Sequence, residues 1–174
     1  MKFFSKKDKV GSGTRAGFTL VEAIIGVAII VLLLSGIIAL YTKYVQAFSD
    51  TADTITAQYL LEEGMEVTRL FRDNSWSNSL AKFSTTTPVR FTFSTSTSAW
   101  ATTTANVFIQ GVFDRYVTVS DVRRHNTTKD ITSSVSGSAY DPNTKLVTVT
   151  VAWKTSTATT TKSISGYLSN IFSN

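Results

Sequence analysis

The run FTLVEAIIGVAIIVLLLSGIIAL, Phe18 to Leu40, decides how the rest of this chain is read. No residue between Ala23 and Thr42 carries a charge. At about 1.5 Å per residue, a helix over this run is roughly 34 Å long. That is enough to cross a hydrocarbon layer of about 30 Å. One carboxylate, Glu22, lies in the opening turns. A charge there is disfavoured by a few kcal/mol, less at the interface than at the centre. Glu22 is therefore either an anchor residue reaching for the headgroups or a functional group with a partner to be found.

Ahead of the run, Met1 to Gly17 is polar and basic, with a flexible Gly11-Ser12-Gly13 link. It reads as a processing segment, not as part of the fold. It holds Lys2, Lys6, Lys7, Lys9 and Arg15 against Asp8. Removing these five bases and one acid from the totals of 17 and 12 leaves 12 against 11, so the rest of the chain is nearly neutral. The basic character thus gives no argument for nucleic acid. By the positive-inside rule the leader stays in the cytoplasm and the bulk of the protein lies outside. Val45-Gln46-Ala47 weakly matches a signal-peptidase site, but the preceding apolar run is too long for an ordinary signal peptide. Cysteine is absent, which removes disulfides and thiolate metal sites.

The segment Gly17-Phe18-Thr19-Leu20-Val21-Glu22 resembles the prepilin cleavage and methylation motif of type IV pilins and type II secretion pseudopilins at every position. The resemblance implies that a membrane peptidase, working from the cytoplasmic side, cuts between Gly17 and Phe18 and methylates the new amine of Phe18. It gives Glu22 the role of attracting the amino terminus of a neighbouring subunit during assembly. The implied partners are the prepilin peptidase, other pilin or pseudopilin subunits and the membrane. Ala57 to Glu66, with Arg69 and Arg72-Asp73-Asn74-Ser75-Trp76, more loosely resembles minor pilins and minor pseudopilins. Two departures stand out. Many major pilins carry a proline in the middle of the membrane segment, whereas here Gly26 and Gly36 are the only weak points. The disulfide frequent in Gram-negative major pilins is also absent, which leans towards a minor subunit or another bacterial lineage.

Past the apolar run the helical pattern continues. Tyr41, Val45, Phe48, Ala52, Ile55 and Tyr59 recur four and three apart, the spacing of one helical stripe. Glu62, Glu63, Glu66, Arg69 and Arg72 form the expected wet side, with Glu66 and Arg69 spaced to pair. A helix from Phe18 to about Asp73 would be roughly 83 Å long. A helix of that length needs tertiary support, from lipid or sister helices over one half and from a sheet over the other.

From Leu80 onward the period changes to two. Val89, Phe91 and Phe93 alternate with polar residues, and Val147, Val149, Val151 and Trp153 with Thr148, Thr150 and Ala152, the pattern of half-buried strands. Val107 to Val122 holds one or two more strands, with Gly111 as a possible bulge, and Thr160 to Leu168 a last one. Asp141-Pro142-Asn143 reads as a turn, and Ser84–Thr87 and Ser94–Thr104 as polar loops. The expected fold class is α+β, with the long helix packed through Phe48, Ile55 and Tyr59 on an antiparallel sheet. The expected organisation is a cleaved leader (1–17), a transmembrane helix (18–41), its amphipathic continuation (42–73) and a Ser/Thr-rich sheet domain (74–174).

Little in the chain points to catalysis. His125 is the single histidine, so neither a zinc site nor a Ser/His/Asp arrangement can be argued. Arg123, Arg124, His125 and Lys129 form a small basic patch offset by Asp121 and Asp130. Asp141 and Asn143 are possible calcium oxygens already explained by a turn, and Asn126-Thr127-Thr128 is a glycosylation triplet by pattern alone. No enzyme activity, cofactor, metal or nucleic-acid partner is expected. The expectation is a structural subunit of a type IV pilus-like filament, made in the bacterial cytoplasmic membrane. The alternatives are a type II secretion pseudopilin and a membrane-anchored surface adhesin.

Overall fold

The structure is a computed structural model describing residues 17–84, 86–155 and 158–172. The leader from Met1 to Ala16 lies outside the described residues, as does Thr85 of the first Ser/Thr tract. One long helix, α1 (Leu20–Asn74), is followed by a 3-10 turn (Leu80–Lys82) and seven strands. These are β1 (Arg90–Ser94), β2 (Ala99–Thr103), β3 (Phe108–Ile109), β4 (Phe113–His125), β5 (Ile131–Thr132), β6 (Ser138–Lys154) and β7 (Thr159–Ser169). The chain divides into two compact units, one ending at Ala47 and the other beginning at Phe48.

In the first unit α1 buries no side chain, and Ile24, Leu32, Ile38 and Leu40 are all exposed. This helix is long and apolar enough to cross a membrane. Its serine and threonine hydroxyls are satisfied within it. Ser35 donates to the Leu32 carbonyl at 2.8 Å and Thr42 to the Ile38 carbonyl at 2.6 Å, so neither needs water, which hydrocarbon does not supply. Tyr41 and Val45 are likewise exposed.

The second unit is α+β: α1 from Phe48 onward packs on antiparallel sheets. The main sheet has the order β3-β4-β6-β7, with β5 on the far end of β4. β1 and β2 form a separate hairpin, joined to the main sheet by a bridge between Val89 and Val117. Successive strand residues point to opposite faces. Val117, Val119, Val147, Val149, Val151 and Trp153 are accordingly buried, while their polar neighbours line the outer face. Each such apolar side chain contributes about 1.5–3 kcal/mol on burial. Phe71 of the helix stacks on Phe91 of β1 at 5.1 Å, with Phe83 beside both.

The helix docks through a different face from the one its apolar stripe indicated. Buried on α1 are Ala57, Leu61, Gly64, Met65, Val67 and Thr68, while Phe48, Ile55 and Tyr59 are 69%, 48% and 67% exposed. The two series share the same four-and-three spacing but are offset by two residues, which turns a helix by about 200°. Small residues decide between them. A Cβ on Gly64 would lie 2.7 Å from Val149 Cγ1 and 3.1 Å from Arg115 Cδ, so backbone and sheet approach as closely as only glycine permits. Two members of the expected wet side also differ. Glu63 pairs with the buried Arg115, and Arg72 is half-buried against Asp73.

Three expectations about the sheet are corrected as well. Ser94–Thr104 is not all loop, because it contains β2, whose Trp100 packs edge-on to Phe93 at 5.3 Å; its threonines favour extended backbone. Gly111 makes the β3–β4 turn instead of a bulge. Gln110 and Gly111 have φ of 53° and 72°, and the Val112 N–H closes the turn on the Ile109 carbonyl at 3.1 Å. Asp141-Pro142-Asn143 does not precede the strand; it interrupts the pairing inside β6. Asp121 pairs with Lys145 and the next residue, Val122, with Asp141. Pro142 has no N–H to give the ladder, and the Asn143 N–H is taken by Asp141 Oδ1 at 2.9 Å.

Candidate processing and assembly site

Gly17, Phe18 and Glu22 are brought together at the start of α1. Gly17 to Thr19 precede the helix in irregular backbone, and Gly17 has nothing within 4 Å of where a Cβ would stand. Thr19 caps the helix. Its Oγ1 accepts the Glu22 N–H at 3.2 Å, and its carbonyl accepts the Ala23 N–H at 3.1 Å. Thr19-Leu20-Val21-Glu22 has the spacing of a capping box, and an acid in the first turn complements the positive end of the helix dipole. This gives Thr19 and Glu22 a local structural role of their own. The Glu22 carboxylate itself is exposed and makes no hydrogen bond or ion pair among the described residues.

Chemically, the junction offers an open Gly-Phe peptide bond next to a capped apolar helix, and one unpaired carboxylate about a turn further on. Such a bond suits a peptidase that needs close backbone access, and such a carboxylate suits an amine partner.

The remaining candidates are held in the sheet domain's own structure. His125 ends β4, and its Nδ1 accepts the N–H groups of Thr127 and Thr128 at 3.3 and 3.4 Å. Arg124 donates to Asp141 Oδ2 at 2.6 Å and to Thr144 Oγ1 at 3.2 Å. Burial pulls the Asp141 carboxyl upward, but hydrogen bonds from Arg124, Thr144 and the Asn143 N–H outweigh it and hold the group below its ordinary range. Asp141 is thereby committed to Arg124 instead of a cation. Among the described residues no group of three or more His, Cys, Asp or Glu is placed to hold a metal. Arg90 makes a two-point bond to Asp114, at 2.7 and 2.8 Å, which raises its pKa further and ties β1 to β4.

Two features escaped sequence reasoning. Nothing in the helical spacing marks Gly64. Arg123 belongs by sequence to a small basic patch, yet its guanidinium lies 3.8 Å over the Tyr140 ring.

The chain matches none of the protein-family models, curated proteins or solved structures with which it was compared.

Proposed function

We propose that the protein is a structural subunit of a type IV pilus-like filament. In this reading it is held in the membrane by α1, cut between Gly17 and Phe18, and assembled through its apolar helix. The observation that carries the reading is the combination at the start of α1. An accessible Gly17-Phe18 bond leads into a run with no charge from Ala23 to Thr42 whose side chains are not buried among the described residues of the first unit, and the one carboxylate ahead of that run, Glu22, has no partner among the described residues. An unpaired carboxylate in an apolar bundle is costly, whereas a methylated amine from a neighbouring copy would offset its charge and set the stagger between helices. Capping by Thr19 fixes where that carboxylate leaves the helix.

The test is mass spectrometry of membrane-extracted and sheared-filament fractions from cells that express a prepilin peptidase. The expected species begins at Phe18, carries one N-methyl group and is found in both fractions. Glu22→Ala is expected to be inserted and cut but to be depleted from filaments, and Glu22→Gln, which keeps shape and loses charge, to behave alike. An intact leader, or a start near Phe48, would overturn the processing step. If both variants entered filaments as the parent does, Glu22 would be a capping residue only. A protein that is cut yet confined to the membrane would instead point to an anchored surface module.

A further inference from the structure

The outer face of the main sheet, away from the helix, carries a cleft of about 360 Å³ beside β5, lined by Asp121, Arg123, Ile131, Thr132, Leu146 and Tyr167. Its construction follows from the interrupted pairing of β4 and β6. After the register shift between Asp121 and Val122, Arg123 stands opposite Tyr140. The two side chains stack, with the guanidinium carbon 3.8 Å from the ring centre, which fixes an otherwise flexible cation. On the neighbouring pair of strands Leu146 stands opposite Tyr167, and Tyr167 is 53% exposed.

Arg123 differs from the other described arginines. Arg69, Arg72, Arg90, Arg115 and Arg124 each pair with a carboxylate. Arg123 has none among the described residues, although it is half-buried. Its stacked ring leaves the planar fork of N–H groups free, the geometry that takes a carboxylate at two points. The nearby Asp121 is neutralised by Lys145. The cleft therefore presents one uncommitted positive charge, an amphipathic ring, an apolar floor and a hydroxyl from Thr132. Small-ligand sites have this make-up: concave and partly apolar, with a few polar groups that orient the ligand.

We propose that this cleft binds an acidic sugar unit. The sugar's carboxylate would sit on Arg123, the apolar face of its ring on Tyr167 and Leu146, and its hydroxyls against Thr132 and Asp121. A single charge suits one carboxylate better than a phosphate cluster, because neither a helix N-terminus nor a glycine-rich loop lines the cleft. The proposal is independent of filament assembly, since it uses no residue of α1.

The test is saturation-transfer NMR and calorimetric titration of the full-length protein in detergent micelles. The probes are glucuronate, galacturonate and N-acetylneuraminate, with glucose, galactose and acetate beside them. At least one acidic sugar is expected to bind in the millimolar range or tighter, with its neutral counterpart and acetate at least tenfold weaker. Arg123→Lys, which keeps the charge and loses the fork, and Tyr167→Ala are each expected to weaken binding about tenfold. Both residues are partly exposed, and unchanged tryptophan fluorescence melts will show that the fold is intact. Arg69→Ala, on the helix, should bind as the parent does. The proposal is overturned if no acidic sugar binds, if the neutral sugars bind equally well, if acetate alone reproduces the affinity, or if Arg123→Lys binds unchanged.

Discussion

Gly64→Ala is the most direct probe of how helix and sheet are joined in the second unit. In an exposed helix this change stabilises by about 1 kcal/mol, because alanine restricts the unfolded chain and favours the helix. Here the new methyl would lie 2.7 Å from Val149 Cγ1 and 3.1 Å from Arg115 Cδ, inside the ~3.5–4.0 Å at which carbon atoms attract. Neither neighbour has room to retreat. Val149 is fully buried, and the Arg115 side chain is 2% exposed and bound to Glu63. Overpacking of this kind costs about 1–3 kcal/mol, and two rigid neighbours place it near the upper end. Subtracting the helical gain leaves a net loss of about 2 kcal/mol. The assay is equilibrium unfolding followed by the fluorescence of Trp76 and Trp153, both buried. Val149→Ala removes the clashing methyl at its own cavity cost. In that background Gly64→Ala should become neutral or stabilising, a coupling of about 2–3 kcal/mol within the range seen for touching residues. If Gly64→Ala stabilised the parent, or the two changes were additive, the close approach would be wrong.

Val149→Asp should abolish the folded sheet domain by stranding a charge in a dry interface, while Tyr59→Asp, on the exposed face, should change the unfolding free energy by no more than about 0.5 kcal/mol. Asp114→Asn leaves the buried Arg90 charge without its carboxylate and is expected to cost about 3 kcal/mol, with faster hydrogen exchange in β1 and β2 as its local signature. Asp141 is held below its ordinary pKa, so its contribution is present above about pH 4 and lost as pH falls through the folded value. The gap in melting temperature between the parent and Asp141→Asn should therefore close on acidification below pH 4, and a gap that widened there would contradict the assignment.

The helix was legible from the sequence because a long uncharged run and a 3.6-residue period reinforce one another, and the ends at Leu20 and Asn74 fall close to Phe18 and Asp73. The strand at Val147 to Trp153 was legible because its alternation is strict. What could not be read was which helical face docks. Periodicity registers apolar side chains, and both the exposed series Phe48, Ala52, Ile55 and Tyr59 and the docked Ala57, Leu61, Met65 and Val67 satisfy it. The docked series is selected by close approach, a property of Ala57 and Gly64 that carries no hydropathy signal. Arg123 and Tyr140 were hidden for a related reason. They face each other only because the pairing skips Pro142 to Thr144, and an interruption of register is invisible until both strands are placed.

An amphipathic helix needs one apolar face to dock on a sheet, yet α1 in the second unit has two. The face carrying Ala57, Leu61, Gly64 and Met65 is spent on the sheet, with Gly64 against Val149 and Arg115. The opposite face keeps Phe48, Ile55 and Tyr59 in the open, although burying each would contribute about 1.5–3 kcal/mol. Large side chains on a helix form ridges that seat in the grooves of another helix, whereas the sheet takes the face that carries Gly64. The division of labour follows from the closest approach: Gly64 lets helix and sheet come together, and the exposed large residues are left for other helices. Under the proposed subunit role those helices belong to neighbouring copies. Tyr59→Asp is then expected to separate the two functions of α1, leaving the melting of the sheet domain unchanged while depleting the protein from sheared filaments. Loss of both together would mean that the exposed face supports the fold itself.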